Sequence, residues 1–323
     1  MKVVAKVPGK CILFGEHAVV YGYPALSMAI PLKSTCIVEE INDQSIHFSF
    51  KTLKEVYWGK NLADIGSRMP RRYQQFVVCL NLLADRFGLD IKSLRIQIFS
   101  DIFPNAGLGS SASTSISLLS ALNEFYSLNL KKKRLVELGF EMERITHGNP
   151  SGIDHTTCLF GNVISFQKGK FHIVNLTSKF KLLVTYTNQA HDTREVVSNV
   201  RKIKERRPNM FDDIVSKIGS HTRAAEIELI KGNFEMVGKY MNLNQKLLSQ
   251  LNISNEIIEK INKLALKLGA YGSKLTGAGL GGSVITLGSE EVLKKISKSL
   301  SSEGFWNIIT SQDKKGAIAM RKT

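Results

Sequence analysis

Near the start of the chain, Lys10, Glu16 and His17 fall within eight positions, in the run Pro8-Gly9-Lys10-Cys11-Ile12-Leu13-Phe14-Gly15-Glu16-His17-Ala18-Val19-Val20-Tyr21-Gly22. An ammonium, a carboxylate and an imidazole set in an apolar stretch can do acid–base work or hold a charged ligand. The plainer alternative is a tight strand–turn–strand with exposed charges. A second run, Pro104-Asn105-Ala106-Gly107-Leu108-Gly109-Ser110-Ser111-Ala112-Ser113-Thr114, follows a strand-like segment and opens a helical one. Glycines there let successive N–H groups turn toward one anion. The helix N-terminus adds free donors and partial positive charge. Ser110 and Ser111 bring hydroxyls for phosphate oxygens or a metal, while an ordinary N-cap and turn is the alternative.

Two further segments carry reactive groups. In Lys274-Leu275-Thr276-Gly277-Ala278-Gly279-Leu280-Gly281-Gly282-Ser283, four glycines in six positions permit close backbone approach to a ligand or another loop, or make a flexible hairpin. In Glu143-Arg144-Ile145-Thr146-His147-Gly148-Asn149-Pro150-Ser151-Gly152-Ile153-Asp154-His155, Glu143 and His147 are four apart and share a helix face. A zinc site needs a third ligand at a recognised spacing, and none is evident. Glu143 suits Mg²⁺, which takes oxygen ligands. Asp154 suits accepting a proton from a substrate hydroxyl, or alternatively an Asx-turn or N-cap. There is no GxxxxGK[ST] run, which excludes a P-loop kinase. Gly107 to Ala112 fits GxGxxA, but Ser100 to Ala106 separates these glycines from the strand and two helices follow, so a dinucleotide fold is disfavoured.

The elements that must position these groups follow from periodicity. Residues 2–7 read as a strand; Ile46, Phe48 and Phe50, and then Leu94, Ile96 and Ile98, alternate with polar neighbours as half-buried strands do. Arg72 to Phe87, Ala112 to Tyr126 and Lys131 to Thr146 read as helices, the last ended by Gly148-Asn149-Pro150. Ala112 to Tyr126 carries an apolar stripe of Ile116, Leu119, Leu122 and Phe125. Strands are expected at 161–166, 181–186, 283–287, 306–311 and 316–320, with helices through 193–268 and at 290–302. Mixed segments without strict alternation argue for an α+β fold with a boundary near 175–185.

Composition bounds the rest. The chain has 323 residues, enough for about two domains without disulfides or structural metals. No apolar run approaches the ~18 residues that span a bilayer, so a cytoplasmic, membrane-free protein is expected. Four scattered cysteines form no CxxC pair, which suits reduced thiols. The net charge of +16 could serve nucleic acid, a membrane surface or an anionic small substrate. The basic runs Lys131–Arg134 and Lys202–Arg207 lack interleaved aromatics and read as solvated helix faces, against a nucleic-acid role.

Taken together, Pro8 to Gly22, Pro104 to Ala112, His147 to Asp154 and Lys274 to Gly282 resemble the signature segments of the GHMP kinases, and most of all the mevalonate-phosphorylating branch of that family. The third Gly-rich loop departs from the usual Gly-Ala-Gly-Gly-Gly-Gly: Leu280 replaces a glycine, and Ser283 stands where cysteine is common. The resemblance implies a two-domain α+β fold. A ribosomal S5 domain-2-like domain would span 1–178, a ferredoxin-like domain 179–323, with the site in the cleft between them. It implies ATP and mevalonate as substrates, Mg²⁺ as cofactor and a homodimer as the admissible assembly. Asn105, Ala106, Gly107, Leu108, Gly109, Ser110, Ser111 and Ala112, with Gly277 and Gly279, would bind the nucleotide; Ser111 and Glu143 would hold the metal. Asp154 and Lys10 would be catalytic, and Glu16 and His17 would bind the acceptor. Another small-molecule GHMP kinase, or a catalytically silent ligand sensor on the same fold, is the alternative.

Overall fold

The computed structural model describes residues 1–147, 151–190 and 193–322. The turn expected at Gly148–Pro150 lies outside them. The first half of the chain builds a sheet from β1 (Lys2–Phe14), β2 (Ala25–Glu40), β3 (Ile46–Phe50), β4 (Glu55–Gly59) and, after helices α1 (Leu62–Arg68) and α2 (Gln74–Phe87), β5 (Leu94–Ser100). Helices α3 (Ser110–Phe125), α4 (Lys132–His147) and α5 (Ile153–Phe160) follow, and then the hairpin β6 (Val163–Gln167) and β7 (Lys170–Ile173). The second half runs β8 (Leu182–Tyr186), α6 (Thr193–Arg206), α7 (Pro208–Lys231), α8 (Phe234–Gln250), α9 (Glu256–Lys267), β9 (Gly272–Thr276), β10 (Ser283–Leu287), α10 (Glu290–Ser302), β11 (Asn307–Thr310) and β12 (Ile318–Lys322).

Two sheets result. The first has the order β12-β1-β2-β5-β3-β4, with β6 on β2 and β7 on β6. All its pairs are antiparallel except β3–β5. The second, β11-β8-β10-β9, is antiparallel. Its chain path, strand–helices–hairpin–helix–strand, is the ferredoxin-like split arrangement. The last strand leaves this sheet and pairs β1 through Lys2↔Lys322 to Lys6↔Ile318, tying the chain's end to its beginning.

Alternation does what the sequence predicts in β3: Ile46, Phe48 and Phe50 are buried while His47 and Ser49 are half-covered. Helix α3 differs from its expected one-sided stripe. Ser113, Ser115, Ser117 and Ser120 are buried along with Ile116, Leu118, Leu119 and Leu122, so the helix is covered on all sides by β1, β2, α4 and α5. Two of these hydroxyls bond within the fold: Ser113 Oγ meets Ser34 Oγ at 2.7 Å and Ser117 donates to the Thr114 carbonyl at 2.7 Å. The helix that opens at the phosphate-type loop is thereby the central post of its layer. The four cysteines are free and buried, and no described helix is long and apolar enough to cross a membrane.

Candidate active site

Lys10 owes its position to a kink in β1. The pairing with β2 shifts between Pro8 and Gly9, and the 105–109 loop closes onto that point. A Cβ at Gly9 would lie 2.8 Å from the Leu108 carbonyl oxygen and 2.7 Å from Ile102 Cδ1, so only glycine admits the loop. The Lys10 N–H then donates to Leu108 at 2.9 Å, and its ammonium donates to the Gly107 carbonyl at 3.1 Å. The lysine stem runs under Gly109, whose missing Cβ would stand 2.9 Å from Lys10 Cγ.

The loop above it is shaped to receive an anion. Asn105, Gly107 and Gly109 all take left-handed backbone angles (φ 58°, 75° and 75°). Gly109 is the N-cap of α3 and no side chain caps the helix. The first N–H groups of α3 therefore have no partner within the helix and carry the positive end of its dipole.

Asp154 approaches from the other side. It stands in the first turn of α5, which starts after Gly152 at φ 86°. The N-cap is Gly152, so Asp154 does not fill that role, one the sequence left open. Its Oδ1 lies 3.1 Å from Lys10 Nζ; the lysine side chain is 3% exposed and the aspartate 31%. An ammonium and a reachable carboxylate thus meet at the mouth of a backbone anion nest.

Glu16 and His17 are placed differently from each other. Glu16 is buried, its carboxylate paired with Lys274 and accepting from Asn244 Nδ2 at 3.3 Å. Burial pushes the Glu16 carboxyl up and the Lys274 amine down, each against the pull of its partner. His17, at φ 58°, sets Nε2 2.8 Å from the Ala278 carbonyl oxygen in the third Gly-rich loop. Beside Lys10, burial pushes the Cys11 thiol up to about 12, which keeps it protonated and unreactive at neutral pH.

The third loop is a brace between the two sheets. The Ile12 N–H donates to Thr276 Oγ1 at 2.8 Å, and the Thr276 hydroxyl returns to the Ile12 carbonyl at 3.0 Å. Ser283 donates to the Ala106 carbonyl at 2.8 Å. Gly277 packs on Gly107, where a Cβ would come within 3.1 Å of the Gly107 Cα. A Cβ at Gly279 would instead clash with the Ile253 carbonyl oxygen. Leu280 adopts φ 56°, a conformation glycine would take without strain, and is anchored by its N–H to Ile253 at 2.7 Å.

Oxygen ligands suited to a hard cation are present. Ser111 donates its hydroxyl proton to Gln75 Oε1 at 2.9 Å, which leaves the oxygen lone pairs for a metal. Glu143 Oε2 lies 2.9 Å from His155 Nδ1. Burial alone would lower the His155 pKa, but the Glu143 carboxylate beside it outweighs this and the net shift is upward. Among the described residues no cluster of three or more His, Cys, Asp or Glu could hold a metal alone, so a cation here would share its shell with ligand oxygens or water.

Sequence reading missed Lys274, Asn244, Gln75 and His155. Lys274 opens the third Gly-rich run, but its place in a strand whose every residue is buried is seen only in the fold. The others are partners that only folding brings into reach.

Residues 74–162 match the family model for the GHMP kinases N terminal domain, and residues 225–305 match that for the GHMP kinases C terminal. A mevalonate kinase of Thermococcus gammatolerans is 31% identical over 333 residues, covering 98% of each chain. The crystal structure of the Methanococcus jannaschii mevalonate kinase superposes with a TM-score of 0.84 at 31% identity, covering 96% of this chain and 98% of that one. That of L. major mevalonate kinase in complex with R-mevalonate does so at 0.79 and 27% identity. With a relative 31% identical over 98% of both chains and family models matched in both halves, the chain belongs to the GHMP kinase family.

Proposed function

We propose that the protein transfers the γ-phosphoryl group of ATP to the C5 hydroxyl of (R)-mevalonate. The observation that carries the reading is the Lys10–Asp154 pair at 3.1 Å beneath the 105–109 loop. The backbone of Asn105, Ala106, Gly107, Leu108 and Gly109, with the first turn at Ser110, Ser111 and Ala112, cradles the β- and γ-phosphates. Gly277 shapes that cradle from behind, and Gly279 acts farther off, through Ile253.

Asp154 orients the C5 hydroxyl and takes its proton as the hydroxyl oxygen bonds to the γ-phosphorus. The bond from that phosphorus to the β–γ bridging oxygen breaks, and ADP leaves with the bond's electron pair. Lys10 touches both the loop and Asp154, so its charge offsets negative charge on the transferring group. Ser111 and Glu143 hold Mg²⁺, which when bound neutralises phosphate charge. His17 binds the acceptor near its tertiary hydroxyl and carboxylate. Glu16, sealed behind it, supports that contact through the peptide they share.

We also place the domain division at 1–178 and 179–323, with the final strand returning to the first sheet, and the enzyme in the cytoplasm; a homodimer is the assembly the family resemblance admits. A panel of mevalonate, 5-phosphomevalonate, galactose and homoserine, each as sole acceptor in an assay of ADP release, tests the substrate. Turnover on mevalonate alone is expected; preference for another acceptor moves the chain to another branch of the family, and silence on all four overturns the mevalonate reading.

A further inference from the structure

We infer that Lys274 is a positioning residue for the acceptor: through Glu16 it holds the turn carrying His17 against the third Gly-rich loop. This rests on the reading above, in which His17 touches the acceptor. Both members of the Lys274–Glu16 pair are 0% exposed, so neither reaches a substrate. The pair joins segments 258 residues apart, one following β1 of the first sheet and the other within β9 of the second.

Both carboxylate oxygens are engaged, one by Lys274 and the other by Asn244 from α8. Lys274 is further fixed by donating to the Leu275 carbonyl at 2.6 Å. One residue on, His17 makes its own bond to Ala278, four residues beyond Lys274 on the same strand-to-loop segment. The turn is therefore pinned at two adjacent residues to one short stretch of the second sheet. That stretch also carries Thr276, bonded to Ile12, and leads to Ser283, bonded to Ala106.

Apolar residues of like volume would fill this junction at lower desolvation cost, because a buried pair rarely repays the loss of water. In this protein the pair's directional bonds, with that of Asn244, hold Glu16 and so the neighbouring His17 in register with the second sheet.

The test compares Lys274→Met with the double variant Glu16→Gln/Lys274→Met. The single variant leaves a carboxyl buried without its partner, whereas the double leaves no charge and keeps a side chain able to bond Asn244. Folding is checked by circular dichroism, the KM values for mevalonate and ATP are measured separately, and the His17 imidazole is followed by NMR. In the folded double variant the mevalonate KM is expected to rise about tenfold or more, the ATP KM to stay within about twofold, and the His17 signals to move. Equal weakening toward both substrates, a mevalonate KM like that of the wild type, or an unmoved His17 imidazole overturns the assignment. Should the wild-type protein fail to phosphorylate mevalonate, the substrate reading falls, while the His17 signals still decide whether Lys274 positions that turn.

Discussion

Two lysine–carboxylate pairs each take one member from the stretch 10–16 and do opposite things. Lys10 and Asp154 meet where the aspartate is 31% exposed, whereas Glu16 and Lys274 are sealed at 0% on both sides. The open pair can meet a substrate hydroxyl and exchange a proton with it. The sealed pair can do neither, and it bonds instead to Asn244 and a backbone carbonyl. Residue type does not separate the two, since each is an ammonium beside a carboxylate. Access to the anion nest separates them: Lys10 also donates to Gly107, while Lys274 donates behind the loop that braces Gly107.

Substitutions can break that contrast at its open end. Asp154→Asn keeps the shape of the site and removes the proton acceptor, so kcat is expected to fall by about two to four orders of magnitude with ATP binding retained. Near-normal turnover, measured by ADP release, would return Asp154 to an ordinary helix-turn residue. Lys10→Met comes next: kcat is expected to drop more than the ATP KM rises, because its charge acts on the transferring group. A change confined to KM would make it a binding residue only.

Glu143→Gln has a smaller expected effect. It should raise the Mg²⁺ concentration needed for half-maximal rate, and an unchanged Mg²⁺ titration removes the residue from the metal shell. The smallest effect concerns His155. Its pKa is raised in the folded protein by the Glu143 carboxylate, so the stabilisation it gives is full below the unfolded value of about 6.5 and fades as pH rises through the folded one. The Tm gap between wild type and His155→Asn, in protein without added Mg²⁺, is expected to be widest near about pH 6 and to narrow on the alkaline side. A gap independent of pH would mean that the imidazole acts through packing alone.

Much of the site could be read from local sequence, because local rules made it. Glycines at 107 and 109 are there for left-handed backbone, and the loop they form opens a helix, both of which the spacing shows. Strands such as β3 announced themselves by alternation. Glu16 is the instructive exception. Its motif marked it as polar and near the chemistry, yet its carboxylate belongs to a lysine 258 residues away. No periodicity encodes such a partner, and burial reverses what the side chain can do. The same limit hid the return of β12 to β1 and the all-round burial of α3, where Ser117, bonded to its own helix, passes for a surface residue.

The central claim is that Lys10, Asp154 and the 105–112 loop convert an alcohol to a phosphate monoester. Incubating the protein with ATP, Mg²⁺ and (R)-mevalonate and locating the new phosphate by ³¹P and ¹H NMR tests it most directly. One ADP released per phosphate, with that phosphate on C5, is the expected result. ADP formed without a phosphorylated product, or a phosphate on the tertiary hydroxyl or the carboxylate, would contradict it.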